Sequence, residues 1–337
     1  MSLDVEAIAA EPAGTDLSST WLRVLGSPWL RVGALTLYVA AFAWSARRNG
    51  LPVDRVAVVA WLLGAVVAGN VGRPWRQQLR MVGSWFLLAG MLFAYDYSRG
   101  IADELNRPVH VNGPRDIDRA LFLGADPTVW MQRHFYEASA VRWYDVAGSL
   151  VYMTHFVFPV MLPVYVLLRS GWTQFVRYMR RFATVLFAGV ATYILYPAAP
   201  PWMADDQYGA LGSLERITGR GWRHVGMTTV YQVFDRGKAI TNPVAAMPSL
   251  HAAFALMVVL WFFPGRSWRV RALLLAFPLS MALTLVYFGE HYVSDVLAGW
   301  LYVLASFGFW GWWERRHPMP GQAPASILDA AETGATR

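Results

Sequence analysis

The sequence predicts an all-α, polytopic membrane helical bundle of about eight transmembrane helices. Three observations predict it. The 337 residues are 56% hydrophobic and only 15% charged, whereas a soluble domain carries about 25% charged residues. Apolar runs close to the roughly 20 residues needed to span a bilayer recur along most of the chain. Several short links between those runs carry arginine and no acid, as cytoplasmic loops do. Together these exclude a disordered chain and argue against a water-soluble enzyme. The absence of Cys excludes disulfides and thiolate metal sites. The net charge of +7 suits anionic lipid and membrane topology, so no nucleic-acid partner is expected.

Residues 1–28 read as a tail and an interfacial amphipathic segment. Asp4, Glu6, Glu11 and Asp16 stand where a signal peptide needs positive charge, so none is expected. In the stretch 17–31, LSSTWLRVLGSPWLR, Trp21, Leu22, Leu25, Trp29 and Leu30 alternate with Arg23 and Arg31. It is either an interfacial helix or the frayed start of the first span. Two additional spans follow at 29–46 and 55–71, within a region 29–79. A six-helix core, 80–313, then holds spans at 80–97, 145–168, 180–198, 247–264, 270–288 and 291–313, and a polar tail, 314–337, ends the chain. Two long loops, 98–144 and 199–246, are expected to carry function; the first contains amphipathic pieces at 117–124 and 128–138. The loops 72–80, 169–181 and 264–271 bear Arg73, Arg76, Arg80, Arg169, Arg177, Arg180, Arg181, Arg266, Arg269 and Arg271, and Arg315 and Arg316 flank the last span. That side is read as cytoplasmic and both long loops as extracytoplasmic, with Arg47, Arg48 and Arg55 against the trend.

The chemistry concentrates in two stretches, NPVAAMPSLHAA (243–254) and YFGEHYVSDVLAG (287–299). Pro248 is expected to open a helix, which places His251 in a first turn whose N–H groups and dipole favour phosphate. Ser249 adds a hydroxyl donor. His291 and Asp295 are four apart. On a helix they share a face, so the carboxylate accepts the His Nδ1–H and leaves Nε2 as an oriented nucleophile. The 40 residues between the two His allow one helix across and one back. Both imidazoles then meet at one membrane face, which implies phosphoryl transfer.

PSLHAA with HYVSDVLAG resembles the type 2 phosphatidic acid phosphatase superfamily, with its PSGH and SRxxxxxHxxxD motifs. Leu250 in place of Gly is more similar to the inositol phosphorylceramide synthase branch, as is YPAAPPWM (196–203). DRALFLGADPTVWMQ (118–132) is similar to bacterial members, and the likeness covers roughly 96–305. The resemblance implies that His291 attacks phosphorus and forms a phosphohistidine, that Asp295 orients it, and that His251 protonates the leaving alkoxide. Ser249 and the backbone around it would hold phosphate oxygens, and no metal or other cofactor is implied. Two departures stand out. Leu285, after Thr284, occupies the arginine position of the second motif. The KxxxxxxRP motif is reduced to Arg107-Pro108, with Gly100 at the Lys position and Arg99 beside it. Replacement cations are sought in Arg236, Lys238 (the only Lys), Arg107, Arg115 and Arg119. Fewer cations suit a phosphodiester better than a monoester.

Other residues keep two readings. Pro200, Pro201 and Trp202 cap a substrate pocket or anchor at the interface; Tyr287 closes that pocket or joins an aromatic belt. Asp96 and Asp145 act at the site or pair with outer-loop arginines. His155 hydrogen-bonds within the bundle or lines a cavity. Glu290 perturbs His291 or faces water. His110, His134, His224 and His317 are expected at the surface. Three functions compete. The first is a phosphotransferase that moves a phosphorylated headgroup, such as inositol phosphate from phosphatidylinositol, to a lipid or glycan hydroxyl. The second is a lipid phosphatase acting on phosphatidate or polyprenyl pyrophosphate. The third is a transporter with a proton relay through Asp96, Asp145, His155 and Asp295, although neither internal repeats nor matched broken helices occur. The first is the expected function. Its partners are a phospholipid donor and a hydroxyl acceptor, and its location a plasma membrane with the site outside.

Overall fold

The computed structural model describes residues 28–49, 55–76, scattered positions between 78 and 105, and then 107–212, 214–228, 231–232 and 243–317. The segment 17–27, parts of the expected span 80–97 including Asp96, Arg236, Lys238 and the tail beyond His317 lie outside the described residues. The chain divides into two compact units, residues 1–90 and 91–337.

In the first unit, helix α1 (Pro28–Asn49) pairs with α2 (Arg55–Asn70). The Tyr38 hydroxyl donates to the Trp61 carbonyl at 2.9 Å, and Phe42 meets the Trp61 ring edge-on. Gly64 lets Tyr38 approach, since a Cβ there would lie 3.2 Å from its ring.

The second unit is a bundle of long helices with short helices set on one end. The short ones are α3 (Gly113–Leu121) and α4 (Pro127–Phe135) in the first long loop, and α6 (Pro201–Tyr208) and α7 (Arg220–His224) in the second. The long elements are α5 (Trp143–Leu195), α8 (Leu250–Trp261), α9 (Trp268–Tyr287) and α10 (Val293–Arg316). No strand forms among the described residues; isolated bridges join His110 to Ala198 and Ala198 to Ala245. The stretches Trp29–Asn49, Trp143–Leu167, Trp268–Tyr287 and Val293–Arg316 are long and apolar enough to cross a bilayer.

Helix α5 corrects the expected loop at 169–181. The backbone is non-helical at Gly171 alone, with φ 80° and ψ −179°, a region that essentially only glycine adopts. Contacts to α8 show that the chain reverses there. Along the first arm, His155 meets Phe254 and Tyr165 meets Phe262, so that arm runs parallel to α8. Along the second arm, Tyr178 meets Trp261 and Phe182 meets Phe254, so it runs back. The arginine-rich segment 172–181 is therefore helix. Its charges are met inside the bundle: Arg181 and Arg177 both bond Glu314 of α10, at 2.8–2.9 Å and 2.7–2.9 Å. Glu314 and Arg181 are buried, and a buried carboxylate needs such partners.

Helices α8 and α10 touch almost backbone to backbone. A Cβ on Gly299 would collide with the carbonyl oxygen of Ser249. Trp300 then reaches over α8 to donate to the Ala252 carbonyl at 3.2 Å. Gly299→Ala should force the helices apart and lower stability by about 1–3 kcal/mol. Thermal unfolding in detergent measures this, and Gly299→Val should be worse. Gly171→Ala should cost about 1–3 kcal/mol through backbone strain alone, because a Cβ there meets nothing within 4 Å.

Candidate active site

The site sits where α8 begins and the chain enters α10. Three extended segments meet beneath it. His110 N donates to Pro197 O at 2.8 Å, Ala199 N to His110 O at 3.1 Å, and Ala198 N to Val244 O at 2.9 Å. These bonds fix the approach to Met247-Pro248-Ser249. Tyr193 adds a bond from its hydroxyl to the Pro248 carbonyl at 2.7 Å.

Pro248 does not open α8. Ser249 is the N-cap, its hydroxyl accepting from Ala252 N at 3.3 Å, and Leu250 is the first helical residue. Serine outcompetes proline here because it satisfies an otherwise orphaned N–H. His251 still lies in the first turn, as expected. Ser249 is fully buried, and the amides of Leu250 and His251 make no hydrogen bond among the described residues. Two unpartnered N–H groups at the start of a twelve-residue helix form a place for anionic oxygens.

His291 corrects a second expectation. It is not on the helix with Asp295: α10 starts at Val293 after an N-cap at Tyr292. Asp295 is the third helical residue, and its Oδ2 accepts from Tyr292 N at 2.9 Å. The same oxygen lies 3.4 Å from His291 Nδ1, so capping geometry brings the pair together. His291 Nε2 faces His251 Nδ1, also at 3.4 Å. Ser249 N donates to the Asp295 carbonyl at 2.9 Å, which ties the two motifs together. Asp295 Oδ1 and His251 Nε2 are buried without a hydrogen-bond partner among the described residues.

Asp118, on α3, holds the start of α10 and was missed by the sequence reading. It is fully buried, and its two oxygens accept from Val293 N at 2.8 Å and Ser294 N at 2.7 Å. Burial pushes its carboxyl up and the backbone bonds oppose that. Arg216 was also missed. It bonds Glu290 bidentately at 2.8 and 3.0 Å, and its guanidinium lies 4.0 Å from the Trp202 ring centre. Thr218 donates to the same carboxylate. Burial alone would raise Glu290, but Arg216 and Thr218 outweigh it and hold the carboxyl below its usual value. Glu290 therefore faces a cation rather than water. Trp202 N donates to Gly289 O at 3.0 Å, so the Pro200-Pro201-Trp202 turn docks beside the His291 loop. Neither residue carried a local signal, because each partner is 74 or more positions away in sequence.

The remaining candidates fall elsewhere. Leu285 is fully buried, and its carbonyl accepts from both Glu290 N and His291 N; an arginine at that position would sit in packed core. Arg115 pairs bidentately with Asp126 at 3.1 and 3.3 Å, while Arg107 and Arg119 are exposed. Tyr287 is buried, not in a belt, and donates to Asp145 Oδ1 at 2.8 Å. Asp145 also faces Arg220 at 3.5 Å. His134, His224 and His317 are exposed, but His110 is half-buried and stacks on Tyr196 at 3.8 Å. His155 hydrogen-bonds nothing among the described residues and stacks on His251, ring centres 3.7 Å apart.

The family model of the PAP2 superfamily matches residues 116–309. A phosphoinositol dihydroceramide synthase of Bacteroides thetaiotaomicron is 28% identical over 218 residues, 61% of this chain and 68% of that protein. An inositol phosphorylceramide synthase of Candida albicans is 26% identical over 178 residues, 49% of this chain and 36% of that protein. No solved structure matches the chain. The family match takes in both histidine motifs, the α5 hairpin and the loop helices that brace them, and on that span the chain belongs to the PAP2 superfamily as an all-helical integral membrane protein.

Proposed function

We propose that the protein is a membrane lipid phosphotransferase that moves inositol phosphate, or a closely related phosphorylated headgroup, from a phospholipid to a hydroxyl acceptor. The observation that carries this is the facing pair of imidazoles, His291 Nε2 and His251 Nδ1 at 3.4 Å, with Asp295 behind the first. The two synthases it resembles add the headgroup.

In the first step the His291 Nε2 lone pair attacks phosphorus. The bond from phosphorus to the departing alkoxide breaks, and that oxygen takes a proton from His251. The product is the headgroup phosphate held on His291 through a P–N bond, plus a neutral alcohol. Asp295 accepts the Nδ1–H of His291 and stabilises the charge that builds on that ring. In the second step the acceptor hydroxyl attacks the same phosphorus, its proton passes to His251, and His291 leaves. Protons balance over the cycle. His251 Nδ1 faces the nucleophile, so its unpartnered Nε2 is the nitrogen that exchanges protons with the departing and arriving oxygens. Non-bridging oxygens rest on the amides of Leu250 and His251, with the Ser249 hydroxyl beneath. This electrostatic contribution is already in place before substrate arrives.

Residues 80–313 form the catalytic core in this reading, and the first two helices are an addition. Arg236, Lys238, Arg107, Arg115 and Arg119 remain the cation candidates, with Arg216 now among them. Pro200, Pro201 and Trp202 line the pocket. Tyr287 supports it from behind through Asp145. Arg177, Arg181, Arg266, Arg269, Arg271, Arg315 and Arg316 gather at the opposite end of the bundle, which supports an extracytoplasmic site in a plasma membrane.

Product analysis with headgroup-labelled phosphatidylinositol tests the function. A new phosphodiester lipid is expected; release of inorganic phosphate instead would sink the transferase reading. His291→Ala should lower turnover by at least about 10³-fold and abolish the acid-labile phosphoprotein. His251→Ala should do comparable damage without changing the melting temperature much. Arg216→Ala leaves Glu290 buried with its main partner removed and should cost roughly 2–3 kcal/mol, discounted for the partial exposure of Arg216. Glu290 is held below its ordinary value of 4.5. Its contribution to stability is thus full above that pH and is lost as pH falls through the lowered value. The melting temperature of Glu290→Gln, plotted against pH, should lack that acid-side loss.

A further inference from the structure

All four ring nitrogens of the His251–His291 pair have a contact or a part in the proton exchange. A third imidazole stands beside it with no assigned role. His155 lies on the first arm of α5, twelve residues from Trp143, or about 18 Å along the helix axis. Its ring stacks on His251 at 3.7 Å and 28°, and Tyr152, one turn earlier, meets the His251 ring at 4.9 Å. Phe254 also stacks on His155.

Packing alone does not account for a histidine at this position. Phenylalanine would fill the same space. Histidine instead leaves Nδ1 buried without a hydrogen-bond partner among the described residues, which costs about 1–3 kcal/mol. His251 Nε2, on the adjoining ring, is buried and unpartnered as well. The two rings that carry these nitrogens have centres 3.7 Å apart. Around them the surroundings are apolar: Phe156, the next residue, is 52% exposed on a helix long and apolar enough to cross a bilayer. A charged group would be poorly held there, and a neutral hydroxyl on a lipid well held.

We propose that His155 and His251 together form the binding site for the acceptor, a hydroxyl group carried by a lipid. This rests on the phosphotransferase reading and narrows it. The lipid hydroxyl donates to His251 Nε2 and bonds His155 Nδ1. It then attacks the phosphorus held on His291. The P–N bond breaks, the new P–O bond forms, and the hydroxyl proton ends on His251. His155 neither gains nor loses a proton over the step; it holds the oxygen in line.

The test uses the full-length protein in mixed micelles, with phosphatidylinositol as donor. Ceramide, diacylglycerol and a soluble glycoside serve as alternative acceptors. His155→Phe keeps the stacked ring and removes the nitrogens. It should lower kcat for lipid transfer about 10–100-fold, raise the KM for the lipid acceptor, and make labelled phosphoprotein accumulate, because discharge is slowed. His155→Gln, which restores a donor and an acceptor, should recover part of the rate. Transfer by His155→Phe at the wild-type rate would overturn the proposal. So would a fall in kcat without phosphoprotein accumulation, which would mean that His155 acts on the first step or on the fold; the melting temperatures of both variants separate those two. Preferential use of the soluble glycoside by the wild type would also overturn it. If the wild type forms neither phosphoprotein nor a new phosphodiester, the phosphotransferase reading falls and this inference with it. Failure confined to the His155 variants leaves that reading standing.

Discussion

Asp295 is the point on which the site depends. One carboxylate oxygen caps α10 through Tyr292 N and lies against His291 Nδ1, while the backbone carbonyl of the same residue receives Ser249 N. The orientation of the His291 ring, the start of α10 and the position of α8 are therefore set by a single residue that is itself fully buried. Close approach at Gly299 makes this possible, because only a hydrogen side chain lets the Ser249 carbonyl sit against α10. Catalytic geometry and helix packing are one arrangement here, so the site tolerates little movement between α8 and α10.

Ion pairs hold the two ends of the bundle. At the catalytic end Arg216 joins Glu290 to the Trp202 turn, so the loop before α10 and the loop after α5 are clamped together. At the far end Arg177 and Arg181 converge on Glu314 and fix the register of the second α5 arm against α10. Ser306 adds a bond from its hydroxyl to the Arg181 carbonyl. Such pairs contribute little in water, but they define alignment where the alternative is a buried charge without a partner.

Much of this was legible in the sequence, and the reasons differ by feature. Long apolar runs and arginine-bearing links report helices and their order, because bilayer thickness and hydration act on local composition. The two histidine stretches were readable because cap, imidazole and carboxylate lie within a few residues of one another. The reversal at Gly171 was not: it takes one residue, and the flanking arginines looked like a loop until Glu314, 137 positions away from Arg177, supplied their partner. His291 was expected on a helix by spacing alone, yet a capping carboxylate gives the same proximity from outside it. Asp118, Arg216 and the stacked pair of His155 and His251 are set by tertiary contacts across 74 to 175 positions in sequence, or by ring packing between helices, and leave no local pattern.

The two helix starts that meet at the site are unequal. The amides of Val293 and Ser294 that open α10 are already taken by Asp118, while those of Leu250 and His251 that open α8 have no partner among the described residues. Asp118 thus behaves as a built-in decoy anion. It fills one of the two helix starts, so in the proposed reaction an arriving headgroup would find a single seat instead of two. That bias needs no recognition of the headgroup itself, which leaves discrimination among donors to the surrounding loops.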